Sequence, residues 1–187
     1  MPDATQTRTA VTARYDIVIV GAGFAGLYQL HRLRAQGMTA KVIEAGSGVG
    51  GTWYWNRYPG ARCDVESMQY SYAFSEELQQ EWEWPELFSA QPDILKYANH
   101  VADKLDLRRD ILFDTRVTEA RFDETSSTWS VGTSQGDRFT AGFMIMATGC
   151  LSTARVPDFA SAERWSPTSG SNHGMRGGPD RDCHTWS

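Results

Sequence analysis

The chain has 187 residues, of which 41% are hydrophobic and 22% charged, so it can bury the core of one ordinary domain. Its formal net charge of −5 gives no electrostatic reason to expect a nucleic acid or an anionic membrane as a partner. No apolar stretch reaches the roughly eighteen residues of a membrane span. Cys63, Cys150 and Cys183 form neither a CxxC pair nor a metal-ligand pattern, which predicts a reduced, cytoplasmic protein without a metal site.

The composition divides the chain into three parts. Residues 1–13 are a polar leader without the apolar core of a signal peptide, and residues 14–159 carry the patterns of a folded domain. Residues 160–187 contain no Val, Ile, Leu, Phe or Tyr. Such a stretch cannot bury enough surface to offset the entropy of ordering it, so we predict a disordered tail.

A glycine-rich turn lies between two apolar runs near the start of the predicted domain. Residues 15–20 predict a buried strand, residues 25–36 a helix and residues 40–43 a second, parallel strand. The turn between the first strand and the helix consists of Gly21, Ala22, Gly23, Phe24, Ala25 and Gly26. This order of elements predicts an α/β fold with a dinucleotide-binding site at the turn.

Each glycine of the turn has its own steric role. Gly21 permits the tight turn, Gly23 lets the backbone approach a pyrophosphate, and Gly26 lets the helix lie close to the sheet. Glu44 follows the second strand, where a carboxylate accepts hydrogen bonds from an adenosine ribose and repels a 2′-phosphate. The motif therefore favours FAD or NAD over NADP. A glycine turn in an ordinary α/β protein is the alternative.

The middle of the chain is rich in aromatic residues. Residues 46–64 predict a long ligand-wrapping loop, because loops of that length in compact domains are usually functional. Three alternating aromatic residues then predict a short strand or extended wall: Tyr70, Tyr72 and Phe74. Residues 76–88 predict an acidic surface segment whose aromatic side chains dock on the body, and residues 92–107 predict a packing helix.

The remaining part of the predicted domain has the pattern of strands. Short extended segments are separated by turn-rich joints, at residues 111–113, 116–122, 128–133 and 138–141, and predict an antiparallel meander. Residues 143–146 then predict a buried strand that ends in Ala147, Thr148 and Gly149. We expect this small-residue turn at the carboxyl edge of the sheet, where ligands bind.

One stretch of the predicted loop carries a specific pattern. Glycine, any residue, tryptophan, four residues, an aromatic residue, Pro-Gly, three residues and aspartate occur here as Gly51, Trp53, Tyr58, Pro59, Gly60 and Asp64. The pattern resembles a fingerprint of the Baeyer–Villiger monooxygenases. Five further stretches resemble the phenylacetone and cyclopentadecanone monooxygenase branch of that family: residues 65–67, 70–72, 74–77, 82–84 and 147–152.

The resemblance implies a Rossmann-like FAD-binding domain, with a parallel sheet and an antiparallel β-meander, incomplete relative to the two-dinucleotide-binding flavoprotein fold. It implies FAD and NADPH as cofactors, and O₂ and a ketone as substrates that yield an ester or lactone. The cofactor-binding residues that it implies are Gly21, Gly23, Phe24, Ala25, Gly26, Glu44, Gly51, Thr52, Trp53, Tyr54, Trp55, Arg62, Cys63, Asp64, Tyr70, Val117, Thr148 and Gly149.

Asp64 is the catalytic candidate. In the family that the chain resembles, a carboxylate at the position of Asp64 pairs with an active-site arginine much further along the chain. Such a pair would tune the charge beside the substrate oxygen. The alternative is that Asp64 only accepts hydrogen bonds from the backbone of its own loop.

The sequence lacks a second family fingerprint, a second GxGxxG motif for NADPH and the active-site arginine, and the resemblance ends near Ala160. Three interpretations therefore stay open. The chain is the FAD-binding portion of a Baeyer–Villiger monooxygenase, or a truncated or frameshifted remnant that at best binds FAD. The third is an N- or S-oxygenating flavin monooxygenase, against which the spacing from Tyr58 to Asp64 argues.

Overall fold

A computed structural model describes residues 10–151. The described chain forms two compact units, of which the first comprises residues 10–48 and 107–147 and the second residues 49–106 and 148–151. The predicted tail and residues 1–9 of the predicted leader lie outside the described residues.

The first unit is a six-stranded mixed sheet with one long helix. Its elements are β1 (Thr12–Val20), α1 (Phe24–Ala35), β2 (Ala40–Ile43), β3 (Ile111–Leu112), β4 (Val117–Asp123), β5 (Thr128–Thr133) and β6 (Arg138–Met146), and a 3₁₀ turn at Arg108–Asp110 precedes β3. The strand order is β3-β2-β1-β6-β5-β4. The first four strands in this order are parallel, and β5 and β4 add an antiparallel meander. The predicted α/β class and both parts of the sheet are confirmed.

β1 is the central parallel strand of this sheet. It pairs with β2 on one side and with β6 on the other, in a register that places Val18 beside Lys41 and Met144. Ile17, Val18 and Ile19 are buried. A continuous apolar run is what a parallel strand covered on both faces requires, which explains why this part of the sequence was predictable.

Two strand boundaries differ from the predictions. β1 begins at Thr12 instead of residue 15, so the end of the predicted leader belongs to the sheet. The buried carboxylate of Asp137 accepts a hydrogen bond from the Val11 amide at 2.8 Å and secures this end. β6 is one nine-residue strand where the sequence predicted two, because Gly142 stays within the ladder. Its second half is not buried as predicted, since Phe143 is 62% exposed and Met146 63% exposed.

The second unit is formed by short helices and turns. Its elements are α2 (Thr52–Trp55), a 3₁₀ turn (Ser67–Tyr70), α3 (Glu76–Glu81) and α4 (Gln91–Lys104). The predicted packing helix is thus confirmed, although it ends three residues before residue 107. The predicted loop over residues 46–64 is interrupted by the single turn of α2.

The prediction of a strand or wall at Tyr70, Tyr72 and Phe74 is wrong. A 3₁₀ turn ends at Tyr70, and bends and turns follow it. Tyr72 instead packs on α4, because its amide donates to the Tyr97 hydroxyl at 2.8 Å and the centroids of the two rings lie 6.1 Å apart.

The acidic segment that follows docks through its aromatic side chains, as predicted. Ser75 caps α3 by accepting a hydrogen bond from the Leu78 amide. Trp82 and Trp84 then pack on the Tyr97 ring, each with a centroid separation of 5.1 Å. The tryptophans therefore attach this segment to α4.

Candidate functional site

Two glycines of the turn between β1 and α1, Gly21 and Gly26, have the steric properties that the sequence predicted. Gly21 has a φ of 104°, which an L-amino acid rarely adopts, and its amide donates to the Ile43 carbonyl at 2.9 Å. A Cβ on Gly26 would lie 2.0 Å from the Gly21 carbonyl oxygen. Only glycine at this position lets α1 approach the turn so closely.

The N-terminus of α1 is suited to an anion. Gly23 is the N-cap residue, so no side chain caps the helix, and no acidic residue lies in its first turn. The amides and the positive end of the helix dipole are therefore available to an anion there. α3 shows the contrast, because its first turn contains two glutamates and a serine caps it.

Glu44 joins the glycine turn to the loop after β2. It is only 4% exposed, and its Oε2 atom accepts a hydrogen bond from the Ala22 amide at 2.6 Å. Its Oε1 atom accepts one from the Gly46 amide at 2.7 Å. The carboxylate therefore fixes two backbone segments at the carboxyl ends of β1 and β2, a role that the sequence did not reveal.

The carboxyl ends of β1 and β6 lie side by side in the sheet. The Ala147 amide donates to the Val20 carbonyl at 2.9 Å, and a Cβ on Gly26 would lie 3.7 Å from the Cβ of Ala147. From β1 the chain adds β2 and β3 on one side of the sheet and β6 on the other. The carboxyl ends of β1 and β6 therefore form the topological switch point of the sheet. Ligands of open α/β sheets bind at such a point.

The predicted residues in α2 belong to the second unit. Gly50 and Gly51 both have positive φ, of 120° and 55°, and bring the chain into the turn that starts at Thr52. Trp53 is buried, and its carbonyl accepts a hydrogen bond from the Gln91 side chain. Gln91 was missed at the sequence level, since nothing local links it to a residue 38 positions away.

The Trp53 ring packs edge-on against Tyr70 with a centroid separation of 5.6 Å. Burial raises the pKa of the Tyr70 phenol, and the nearby Cys63 and Asp64 raise it further. Trp53, Cys63, Asp64 and Tyr70 therefore form one neighbourhood. The rings of Tyr54 and Trp55 pack against each other with a centroid separation of 4.8 Å.

The remaining predicted residues differ in their surroundings. The guanidinium of Arg62 donates to Glu86 and to the Phe88 carbonyl, both at 2.8 Å. Cys63 is buried, whereas Asp64 is exposed. Val117 lies on β4 and packs against the core of the first unit.

Thr148 and Gly149 follow Ala147 in the chain, and Gly149 has a φ of 68°. The structure thus brings the Gly21–Gly26 turn and Glu44 together in the first unit, and Trp53, Asp64 and Tyr70 together in the second.

Within residues 10–151, no three His, Cys, Asp or Glu side chains are grouped so that they could hold a metal ion. No helix in the same range is long and apolar enough to cross a membrane.

A parallel sheet with a glycine turn, an uncapped helix and an acid after the second strand defines a dinucleotide-binding protein of the Rossmann type. Comparison with known proteins agrees with this class. A family model described as an NAD(P)-binding Rossmann-like domain matches residues 19–81.

Individual similar proteins point to a more specific class than the family model does. A Baeyer–Villiger monooxygenase of Pseudooceanicola batsensis is 46% identical over 156 residues, covering 83% of this chain and 29% of the relative. The structure of an oxidized steroid monooxygenase bound to NADP is 61% identical, with a TM-score of 0.76, over 78% of this chain and 28% of that one. The structure of OTEMO in complex with FAD and NADP is 43% identical, with a TM-score of 0.74, over 83% and 31%.

The chain belongs to the family of flavin-dependent Baeyer–Villiger monooxygenases and corresponds to their N-terminal portion. It spans less than a third of the length of these three relatives.

Proposed function

We propose that the first unit binds the adenosine diphosphate half of FAD, with the pyrophosphate at the start of α1. The Gly21 turn and the N-cap residue Gly23 support this, because they leave the first turn of α1 without a competing side chain. Gly23 lets the ligand approach the backbone, and the amides of Phe24 and Ala25 begin the helix that faces it. Bound FAD would supply the two-electron chemistry through which O₂ is activated.

The ribose of FAD is placed beside Glu44 in this proposal. Each carboxylate oxygen of Glu44 accepts one backbone hydrogen bond, from Ala22 and from Gly46. A carboxylate has about four lone-pair positions, so both oxygens keep capacity for ribose hydroxyls. Its negative charge disfavours a 2′-phosphate, which is why we assign FAD to this site and NADPH to a different one.

The family resemblance supplies the further residues that we propose for cofactor binding. They are Gly51, Thr52, Trp53, Tyr54, Trp55, Arg62, Cys63, Asp64, Tyr70, Val117, Thr148 and Gly149. Arg62 already pairs with Glu86 in the structure, so its contact with a phosphate would require that ion pair to exchange.

We assign Asp64 a catalytic role in a reaction that inserts one oxygen atom of O₂ into a ketone, at the expense of NADPH, to give an ester or lactone. No hydrogen bond or ion pair within residues 10–151 reaches its carboxylate, which supports this role over the alternative of a loop-stabilising aspartate. An exposed carboxylate is able to pair with an arginine of the NADPH-binding part of the complete enzyme. We place the protein in the cytoplasm.

The observation that carries the assignment is the spacing from Gly51 and Trp53 to Asp64, in a chain that is 46% identical to a Baeyer–Villiger monooxygenase over 156 residues. The fold alone would fit many dinucleotide-binding proteins. We expect the 187-residue chain by itself to bind FAD without oxidising NADPH.

The test has two stages. The purified 187-residue chain is first examined for the absorption bands of oxidised flavin, and a colourless protein that takes up no added FAD refutes the proposed site. The complete enzyme encoded at the locus is then supplied with NADPH, O₂ and either a cyclic ketone or a tertiary amine. A lactone supports the assignment, whereas an N-oxide without lactone identifies an N-oxygenating enzyme. If no longer protein is encoded there, the remnant interpretation is correct.

A further inference from the structure

Two segments of the second unit, residues 61–67 and 86–91, are joined along their backbones. The Cys63 amide donates to the Ser89 carbonyl at 3.1 Å, and the Ser67 amide donates to the Leu87 carbonyl at 2.8 Å. In the other direction, the Gln91 amide donates to the Ala61 carbonyl at 2.8 Å. Both segments are therefore held in register over most of their length.

Two buried serines hold the middle of this arrangement. Ser67 is 1% exposed and Ser89 is fully buried. The Ser67 hydroxyl oxygen accepts a hydrogen bond from the Ser89 amide at 2.8 Å. It lies 2.8 Å from the Ser89 hydroxyl and 2.7 Å from the Glu86 carbonyl, to which it can donate. Such a buried group is costly to remove, because its partners lose their bonds away from water.

Asp64 lies between the points at which the first segment is attached, Cys63 and Ser67. Its carboxylate is exposed, and no hydrogen bond within the described chain fixes it. The position of its Cα atom and the direction of its Cα–Cβ bond are set by the backbone on either side of it. Ser67 is the residue that fixes that backbone on the C-terminal side.

We propose that Ser67, through its buried contact with Ser89, is a positioning residue for the Asp64 carboxylate. This inference rests on the proposed function, in which Asp64 lies beside bound FAD. Ser67 itself touches no ligand in this account. It holds the short loop of residues 64–66 so that the backbone from which the Asp64 carboxylate extends keeps one position.

A double-mutant cycle distinguishes the proposed positioning role of Ser67 from a purely structural one. The readout is the midpoint potential of FAD bound to the full 187-residue chain. Asp64→Asn removes a negative charge near the flavin, so the potential is expected to rise. Ser67→Ala is expected to shift it in the same direction by less, because the carboxylate then samples several positions. The double variant should equal Asp64→Asn alone, since Ser67 acts through Asp64.

Ser71→Ala is the matched control. The Ser71 hydroxyl also accepts a hydrogen bond in this unit, a partly buried one from the Trp84 indole at 2.9 Å, but it does not hold the Asp64 loop. This substitution should leave the potential unchanged. Additive shifts, or a potential that does not respond to Ser67→Ala, would overturn the proposal. An unchanged potential in Asp64→Asn would overturn it as well.

Amide hydrogen exchange provides a second measurement that needs no cofactor. Ser67→Ala should speed exchange at the Cys63 and Ser89 amides by about tenfold, as expected for loss of a buried hydrogen bond, and Ser71→Ala should not. Unchanged exchange would refute the positioning role, whereas a chain that binds no FAD but shows the faster exchange refutes only the proposed function. If Ser67→Ala does not fold, Ser89→Ala serves in both experiments: it removes the hydroxyl–hydroxyl contact and keeps the bond from the Ser89 amide, so changes in the same direction but smaller are expected.

Discussion

Replacing Gly26 by alanine tests the packing on which the dinucleotide site depends. The new Cβ would lie 2.0 Å from the Gly21 carbonyl oxygen and 3.1 Å from the Gly21 carbonyl carbon. Both are backbone atoms of the glycine turn, so no side-chain rotation can relieve the contact. Either α1 moves away from the sheet or the turn opens.

The size of the effect follows from that distance. Carbon atoms pack at about 3.5–4.0 Å, so the backbone must yield by more than about 1 Å. Overpacking in a well-packed interior typically costs about 1–3 kcal/mol, and contact with backbone atoms places this variant at the upper end. We expect Gly26→Ala to destabilise the chain by at least about 2 kcal/mol, which is roughly a 30-fold change in the folding equilibrium.

Urea unfolding and FAD titration measure the two consequences. Gly26→Ala should lower the urea midpoint and weaken FAD binding, because the displaced turn carries the amides that face the pyrophosphate. Gly142→Ala in β6 is the control, since a Cβ there meets nothing closer than the Asp16 carbonyl oxygen at 3.4 Å. A Gly26→Ala protein as stable as the control, with the same FAD affinity, would refute the account of this site.

Three further changes test individual hydrogen bonds. Glu44→Gln leaves one of two buried backbone donors facing an NH₂ group, so urea unfolding should show a loss of about 1–3 kcal/mol together with weaker FAD binding. Gln91→Ala leaves the buried Trp53 carbonyl without its side-chain donor, and unchanged stability in the same assay would count against that contact. The Thr39 hydroxyl and amide donate to Asp16 and hold the pKa of that carboxyl below its usual range. Its stabilising contribution is therefore present above the ordinary aspartate pKa and is lost as the pH falls through the lowered value. Asp16→Asn should make stability less dependent on pH in that acidic window only.

The dinucleotide-binding part of the fold was predictable because its determinants are local. A buried parallel strand, a glycine turn and a helix follow one another within residues 12–35, and each has its own pattern. The position of Glu44 follows from the lengths of these elements. The antiparallel meander was predictable for the same reason, since turn residues separate its strands.

Contacts between distant residues were not predictable in this way. Tyr72 and Phe74 alternate like strand residues, yet their rings pack on each other, and Tyr72 packs on Tyr97 of a helix that the local pattern does not connect to them. The glycine at position 142 suggested a break in β6, but pairing with β1 continues before and after it and keeps the strand continuous. Tertiary pairing decides such cases over local propensity.

Glu44 and Ser67 have the same structural role in their separate units. Each is a buried polar side chain that accepts a hydrogen bond from a backbone amide 22 residues away, Ala22 for Glu44 and Ser89 for Ser67. Each thereby fixes the backbone of a loop to which we assign cofactor-binding residues. Because the fixing group is buried, changing it alters stability and cofactor binding together, whereas changing exposed Asp64 should alter the cofactor's properties alone. That difference separates residues that build the site from those that act in it.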